Sequence, residues 1–166
     1  MKRKFFAINL TFFALVGCTF NGETNDIYLI PEGYEGNVYA FYNVKGAPEI
    51  KKEGKYDIYD INNEGFYVTS TADMDYGTVT DKYYYVDKNG NRTKISEECI
   101  RGMGTGGFEN DPNSVDKIKI NYTGIEITKE SCGQEFIQSG NGMNSEDSQS
   151  VLETVVKRYY GVDLFN

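Results

Sequence analysis

Ile27-Tyr28-Leu29-Ile30-Pro31-Glu32-Gly33-Tyr34-Glu35-Gly36-Asn37-Val38-Tyr39-Ala40-Phe41-Tyr42-Asn43-Val44 is the stretch on which the fold class turns. Its first four residues are apolar and strand-forming, and Pro31 stops them because proline has no N–H to give a ladder. Residues 31–36 hold a proline and two glycines, the composition of a turn. From residue 37 the chain alternates, with Val38, Ala40, Tyr42 and Val44 on one side and Asn37, Tyr39, Phe41 and Asn43 on the other. A period of two belongs to a strand, so this stretch predicts two strands and a turn.

The same pattern extends outward. Residues 55–61 alternate again, Asn62-Asn63-Glu64-Gly65 supplies turn chemistry, and residues 66–70 are β-prone. Residues 78–86 and 92–95 flank Asp87-Lys88-Asn89-Gly90-Asn91, and Asn-Gly between strand-like runs predicts a hairpin, since both residues tolerate positive φ. The first two thirds of the chain therefore read as a strand meander. Residues 96–113, with Gly102, Gly104, Gly106, Gly107 and Asp111-Pro112-Asn113, read as an open loop. Alternation returns at residues 115–122, and a turn at Thr123-Gly124 leads into a further strand at residues 125–128.

From Ser148 the period changes. Val151, Leu152, Val155, Val156 and Tyr159 share one helical face, Glu146 and Asp147 precede it, Lys157 and Arg158 close it, and Gly161 stands at the C′ position. The expected fold is mainly β, an antiparallel β-sandwich-like domain with one C-terminal amphipathic helix packed on a sheet; a transthyretin-like sandwich is one candidate. Fourteen Tyr, ten Phe, 18 Gly and only three Pro agree with it, because aromatic rings pack well on a pleated, half-buried surface.

Upstream, Lys2, Arg3 and Lys4 precede an apolar run over residues 5–16, and Leu15-Val16-Gly17-Cys18 follows. The run is shorter than the ~20 residues that cross a bilayer and has the length of a signal-peptide core. Leu-Val-Gly-Cys resembles the bacterial lipobox. That resemblance implies thioether attachment of diacylglycerol to Cys18, cleavage before it and acylation of the new amino terminus. Residues 1–17 are then a removed signal, residues 18–26 a small, polar, flexible tether, and residues 27–166 a single β-rich domain. The expected location is the outer side of the cytoplasmic membrane, or the outer membrane, held by lipid on Cys18. An ordinary secretory signal and an uncut anchor are the alternatives.

Ile30-Pro31-Glu32-Gly33-Tyr34-Glu35-Gly36, then Val38 and Tyr42-Asn43, resembles the hallmark of an uncharacterised bacterial lipoprotein domain family whose members carry Ile-Pro-Glu-Gly-Tyr-x-Gly behind a lipobox. Tyr83-Tyr84-Tyr85-Val86-Asp87, Asn89-Gly90 and Arg92 look like its second block. The similarity spans residues 27 to 95. It implies location and domain identity, with no activity attached.

The whole chain carries a net charge of −8, and loss of Lys2, Arg3 and Lys4 makes the remainder three charges more acidic. Such a surface repels nucleic acid and anionic headgroups, so no nucleic-acid partner is expected and the lipid must supply the anchoring. Once Cys18 is acylated, Cys99 and Cys132 remain as an even pair in an exported setting, either a disulfide or two buried thiols. Two cysteines and no His make an incomplete zinc set, and no metal or cofactor is expected.

Absence of His also removes Ser-His and Cys-His nucleophile pairs. Gly102-Met103-Gly104-Thr105-Gly106-Gly107 fits G-x-G-x-x-G, yet nothing after it can start a helix, so a loop is expected. Asp87 to Asn91 resembles half of a calcium loop but lacks its Gly and distal Glu. Asn91-Arg92-Thr93 and Asn121-Tyr122-Thr123 are glycosylation sequons on paper, read here as strand and turn residues. Glu32, Glu35, Asp73 and Asp75 are carboxylates among many and none stands out; Tyr39, Tyr42 and Tyr83-Tyr84-Tyr85 could stack a ligand or fill a core. The resulting expectation is a lipid-anchored, non-enzymatic structural, binding or protein-interaction module with an unknown envelope protein or glycan partner. A carboxylate-dependent hydrolase of envelope polysaccharide, and an inhibitor or immunity lipoprotein, are the rivals.

Overall fold

The computed structural model describes residues 22–114 and 117–164. Cys18 and residues 1–17, expected to be a signal, lie outside the described residues. Among the described residues, nine strands form two mixed sheets. The first sheet has the order β3-β4-β1-β6-β7, where β1 is Asp26–Pro31, β3 Lys51–Glu53, β4 Tyr56–Asp60, β6 Lys82–Val86 and β7 Arg92–Lys94. The second has the order β5-β2-β9-β8, where β2 is Gly36–Tyr42, β5 Phe66–Val68, β8 Ile100–Glu109 and β9 Lys119–Ile127. Two helices follow, α1 at Gln134–Gln138 and α2 at Ser145–Tyr160.

The two strands of the opening stretch exist, but they do not pair. β1 and β2 lie in different sheets, so the Pro31 to Gly36 turn is a corner that carries the chain across the sandwich. Tyr34 fastens that corner: its N–H donates to Pro31 O at 3.0 Å, its hydroxyl donates to Asn37 O, and its own carbonyl accepts from the Tyr85 hydroxyl at 3.0 Å. A meander is therefore replaced by crossovers. β1 runs parallel to both β4 and β6, and β2 runs parallel to β5, which corrects the purely antiparallel expectation. Parallel neighbours need crossover connections, and these shuttle between the sheets. The hairpin at residues 87–91 forms as expected, with Asp87 Oδ1 accepting the N–H of Asn89 and of Asn91 and Gly90 at φ +82°.

β2 shows why both halves of an alternating pattern can be apolar. Val38, Ala40 and Tyr42 enter the core between the sheets, while Tyr39 and Phe41 enter a second core beneath α2 with Leu152, Val155 and Val156. The molecule is thus three layers, sheet on sheet on helix. Asn144 caps α2 by accepting Glu146 N–H, Glu146 and Asp147 occupy its first turn, and Gly161 ends it in the left-handed conformation. Asp147 also accepts from the Tyr39 hydroxyl at 2.6 Å and Asn37 Nδ2 at 2.8 Å, tying the helix to β2.

Two further expectations are overturned. Residues 100–109 are a strand, not a loop, and Thr123-Gly124 lies inside β9, not at a turn. Two of the glycines, Gly106 and Gly124, make room for packed side chains. Gly106 pairs with Tyr122, and a Cβ on it would overlap the Tyr122 ring, which lies over the bare backbone. A Cβ on Gly124 would crowd Met103, Met143 and Tyr39. Gly104, at φ +99°, takes up the bulge that shifts the β8–β9 register. The tether also ends sooner than expected: Glu23 bridges Thr78, Thr24 N–H donates to Thr78 O at 3.1 Å, and Asp26 already belongs to β1.

Candidate functional site

Three copies of one tripeptide pattern build the site: Asp26-Ile27-Tyr28, Asp57-Ile58-Tyr59 and Asp81-Lys82-Tyr83. Asp26 pairs in register with Asp57, Tyr28 with both Tyr59 and Tyr83, and Ile27 with Lys82. Period two then sends every Asp and every Tyr to the same face of the sheet, toward the other sheet. The face carries a row of three carboxylates and, one step along, a row of three rings. Tyr28 is stacked between its neighbours, with centroids 4.8 Å from Tyr59 and 5.2 Å from Tyr83. The Tyr42 hydroxyl, from β2 across the sandwich, donates to the Tyr59 hydroxyl at 2.9 Å.

Beside the carboxylate row the sheets separate around a cavity of about 650 Å³. Asp26, Tyr28, Asp81 and Tyr83 line one wall, and Ile100, Gly102, Thr105, Thr123 and Ile125 of β8 and β9 line the other. Gly102 pairs with Ile125, whose side chain is in the inter-sheet core, and a Cβ on Gly102 would meet open space. The segment of residues 74–80 borders the mouth, with Tyr76 and Val79 exposed to solvent.

The three carboxylates are not equivalent. Asp57 has the Lys52 ammonium at 2.6 Å. Asp81 Oδ1 accepts from the Thr24 hydroxyl and from the Asp26 backbone N–H, and burial raises its carboxyl above the ordinary range. Asp26 is only 5% exposed, and its Oδ1 has no hydrogen-bond partner among the described residues. Burial first, then the charges of Asp81, Asp57 and Asp75, push the Asp26 carboxyl up to about 8, opposed by a hydrogen bond from Tyr59. Burial likewise raises the hydroxyls of Tyr28, Tyr42, Tyr59 and Tyr83, which stay neutral donors.

Of the residues weighed from sequence, Asp75, Tyr42 and Tyr83 border this cavity. Glu35 instead accepts from the Thr128 hydroxyl and Lys129 N–H, Asp73 accepts from Asn121 and Tyr76, Glu32 is exposed, and Tyr39 lies in the helix-side core. Cys99 and Cys132 form a disulfide that joins the 3-10 turn before β8 to the segment before α1. Asp26, Asp57 and Asp81 were passed over in the sequence. Their signal was the repeated Asp-x-Tyr, visible only if the three strands are assumed parallel and adjacent.

The fold and site define a class: a sheet-on-sheet module, backed by a helix, with an acidic cavity between its sheets. Residues 22–136, more than half of the chain and all of the Asp-x-Tyr copies, match the model of a family of unknown function, DUF6843, and the chain belongs to that family. It is similar to a "putative lipoprotein" from Bacillus anthracis whose crystal structure is known at 2.75 Å. The two are 36% identical, the match covers 83% of this chain and 98% of that one, and the TM-score is 0.71. No curated protein matches the chain.

Proposed function

We propose that the chain is a lipid-anchored cell-envelope protein that binds a small ligand between its sheets without transforming it. The anchor reading rests on the Leu15-Val16-Gly17-Cys18 sequence and on the similarity to the Bacillus anthracis protein and its description. The location is the outer side of the cytoplasmic membrane or the outer membrane. The binding reading is carried by one observation: the two sheets part around a cavity of about 650 Å³ lined by Asp26, Tyr28, Asp81 and Tyr83 on one side and by β8 and β9 on the other. That volume falls within the ~300–1,000 Å³ of small-molecule sites.

A carboxylate-dependent hydrolase needs two carboxyl groups on either side of the scissile bond, ~5–10 Å apart. Asp57, Asp26 and Asp81 are instead side-by-side neighbours on one sheet, and the facing strands β8 and β9 line the cavity with Ile, Gly and Thr. The test is native mass spectrometry of the full chain extracted from its own membrane, beside a Gly102→Leu variant that fills the cavity. A bound small molecule present in the parent and lost from the variant is the expected result. Two empty proteins would refute the reading, and conversion of envelope glycan by the parent would replace it with the hydrolase.

A further inference from the structure

We propose that a second pocket, where the end of β2, the start of β9 and the end of α2 meet, binds a small molecule through a phosphate monoester group. This site is separate from the inter-sheet cavity, and neither reading depends on the other. The pocket has a volume of about 430 Å³ and is lined by Lys45, Lys117 and Lys119 together with Asn43, Ser70 and Tyr160. Among the described residues it gathers three ammonium groups and no carboxylate.

That gathering runs against the charge of the whole chain, which is −8. Most cations among the described residues are already engaged. Lys52, Lys55, Arg92, Lys94, Arg101, Lys157 and Arg158 each pair with a carboxylate, Lys82 lies over the Tyr56 ring at 3.8 Å, and Lys129 Nζ donates to Gly33 O. The lysines that remain are Lys45, Lys51, Lys88, Lys117 and Lys119, and three of them line this one pocket. Two features oppose them. Glu109 faces Lys119 in the β8–β9 register without forming an ion pair, and α2 ends at Tyr160 with a partial charge of about −0.5. Three ammonium groups outweigh both, so the pocket is positive within an acidic molecule.

The backbone around the lysines is fixed before any ligand arrives. Asn43, at φ +59°, turns the chain out of β2, a conformation that asparagine tolerates. Its Nδ2 donates to Lys119 O at 2.8 Å and its N–H to Thr71 O at 2.7 Å, while Val44 N–H donates to Thr69 O at 3.0 Å. Lys45 N–H donates to the Tyr160 hydroxyl at 2.9 Å, which ties the turn to α2. Only the lysine side chains are left to close on an anion. A lysine binds phosphate as a point charge with three N–H donors, and three lysines suit a doubly charged group better than a single carboxylate. The net charge of the chain repels a polyanion, so the ligand is small. A volume within the ~300–1,000 Å³ of small-molecule sites leaves room for an organic body behind the phosphate.

The test is titration calorimetry of the full-length chain in nonionic detergent with glycerol 3-phosphate, acetate and glycerol. Glycerol 3-phosphate is expected to bind, acetate to bind at least about tenfold more weakly, and glycerol not to bind. Joint replacement Lys117→Gln and Lys119→Gln should weaken the phosphate ester at least about tenfold. Lys45→Gln, which lies outside the strands, serves if that pair does not fold. Lys51→Gln with Lys88→Gln removes the same charge away from the pocket and should bind as the parent does. An equal loss in the two double variants, acetate matching glycerol 3-phosphate, or no binding at concentrations on the order of 10 mM would overturn the proposal. Dihexanoyl phosphatidic acid, beside dihexanoyl phosphatidylcholine, separates the sources of the group. A preference for the phosphatidic acid that is lost with Lys117 and Lys119 would keep the phosphate assignment and make a lipid headgroup its source, and the reverse preference would make the source a soluble ester.

Discussion

Asp81 Oδ1 accepts the backbone N–H of Asp26 at 3.1 Å, which sets two carboxyl groups side by side at the entrance to the first sheet. Asp57 completes the row on the other side of Asp26. Three acids so placed repel one another, and the most buried of them, Asp26, resolves the conflict by holding its proton.

That arrangement fixes the sign of a pH dependence. In the unfolded chain an aspartate titrates near ~3.9, whereas folded Asp26 is pushed up to about 8. Between those values the folded chain keeps a proton that the unfolded chain has released, so raising the pH favours unfolding. The contribution is fullest below the lower value, declines by up to ~1.4 kcal/mol per pH unit through the window, and is gone above the upper one. Asp81, also raised, acts in the same sense. Urea unfolding across this window should show a falling midpoint in the parent and a flatter profile in Asp26→Asn. Superimposable profiles would sink the assignment.

Two glycines of β8 should respond in opposite ways. Gly106→Ala drives a methyl group into the Tyr122 ring and is expected to cost roughly 1–3 kcal/mol. Gly102→Ala points into open space at an ordinary φ and should change stability by less than about 0.5 kcal/mol. Thermal melts of the two variants decide the matter, and equal losses would contradict the strand assignment for β8.

Cys99 and Cys132 close a loop with a sequence separation of 33, and Thr128 N–H on Cys99 O and Gly133 N–H on Glu98 O hold the same junction. Non-reducing mass spectrometry of exported protein should find the pair bonded. Cys132→Ser should lower stability by about 2–4 kcal/mol in denaturant titration. Two free thiols in the exported chain would show that the bridge does not form in the cell.

The anchor is tested by Cys18→Ala. The cysteine thiol is the group that takes the lipid thioether, and among the described residues the hydrophobic core begins at Ile27. The variant should lose metabolic labelling by a fatty-acid analogue and either persist as precursor or appear in the soluble exported fraction. A single acyl chain holds a protein only marginally and two hold it firmly, so the change in partitioning should be near complete. A labelled variant of mature size would refute the lipobox reading.

Much of the architecture was legible along the chain. The alternation in residues 37–42, the Asn89-Gly90 turn and the C-terminal helical period are local properties of neighbouring side chains and appear where they were expected; past Tyr42 the strand ends, and Val44 joins the helix-side core instead of the face of Val38, Ala40 and Tyr42. The strand at residues 100–109 was not legible, because glycine carries no side chain from which a period can be read. Its pairing with β9 lays the Tyr122 ring over Gly106, a contact that no period in the glycines themselves announces.

The cavity and its chemistry belong to the same second kind. Composition and short-range period suffice for the acidic charge, the β-rich class and the C-terminal helix. Long-range strand pairing, which no local period encodes, parts β1 and β2 into different sheets and sets β4, β1 and β6 parallel. Asp26, Asp57 and Asp81 are dozens of residues apart in the chain and ordinary when read singly. Strand register makes them neighbours, and it is nearness in a water-poor space that turns three surface-type residues into one buried, proton-holding row.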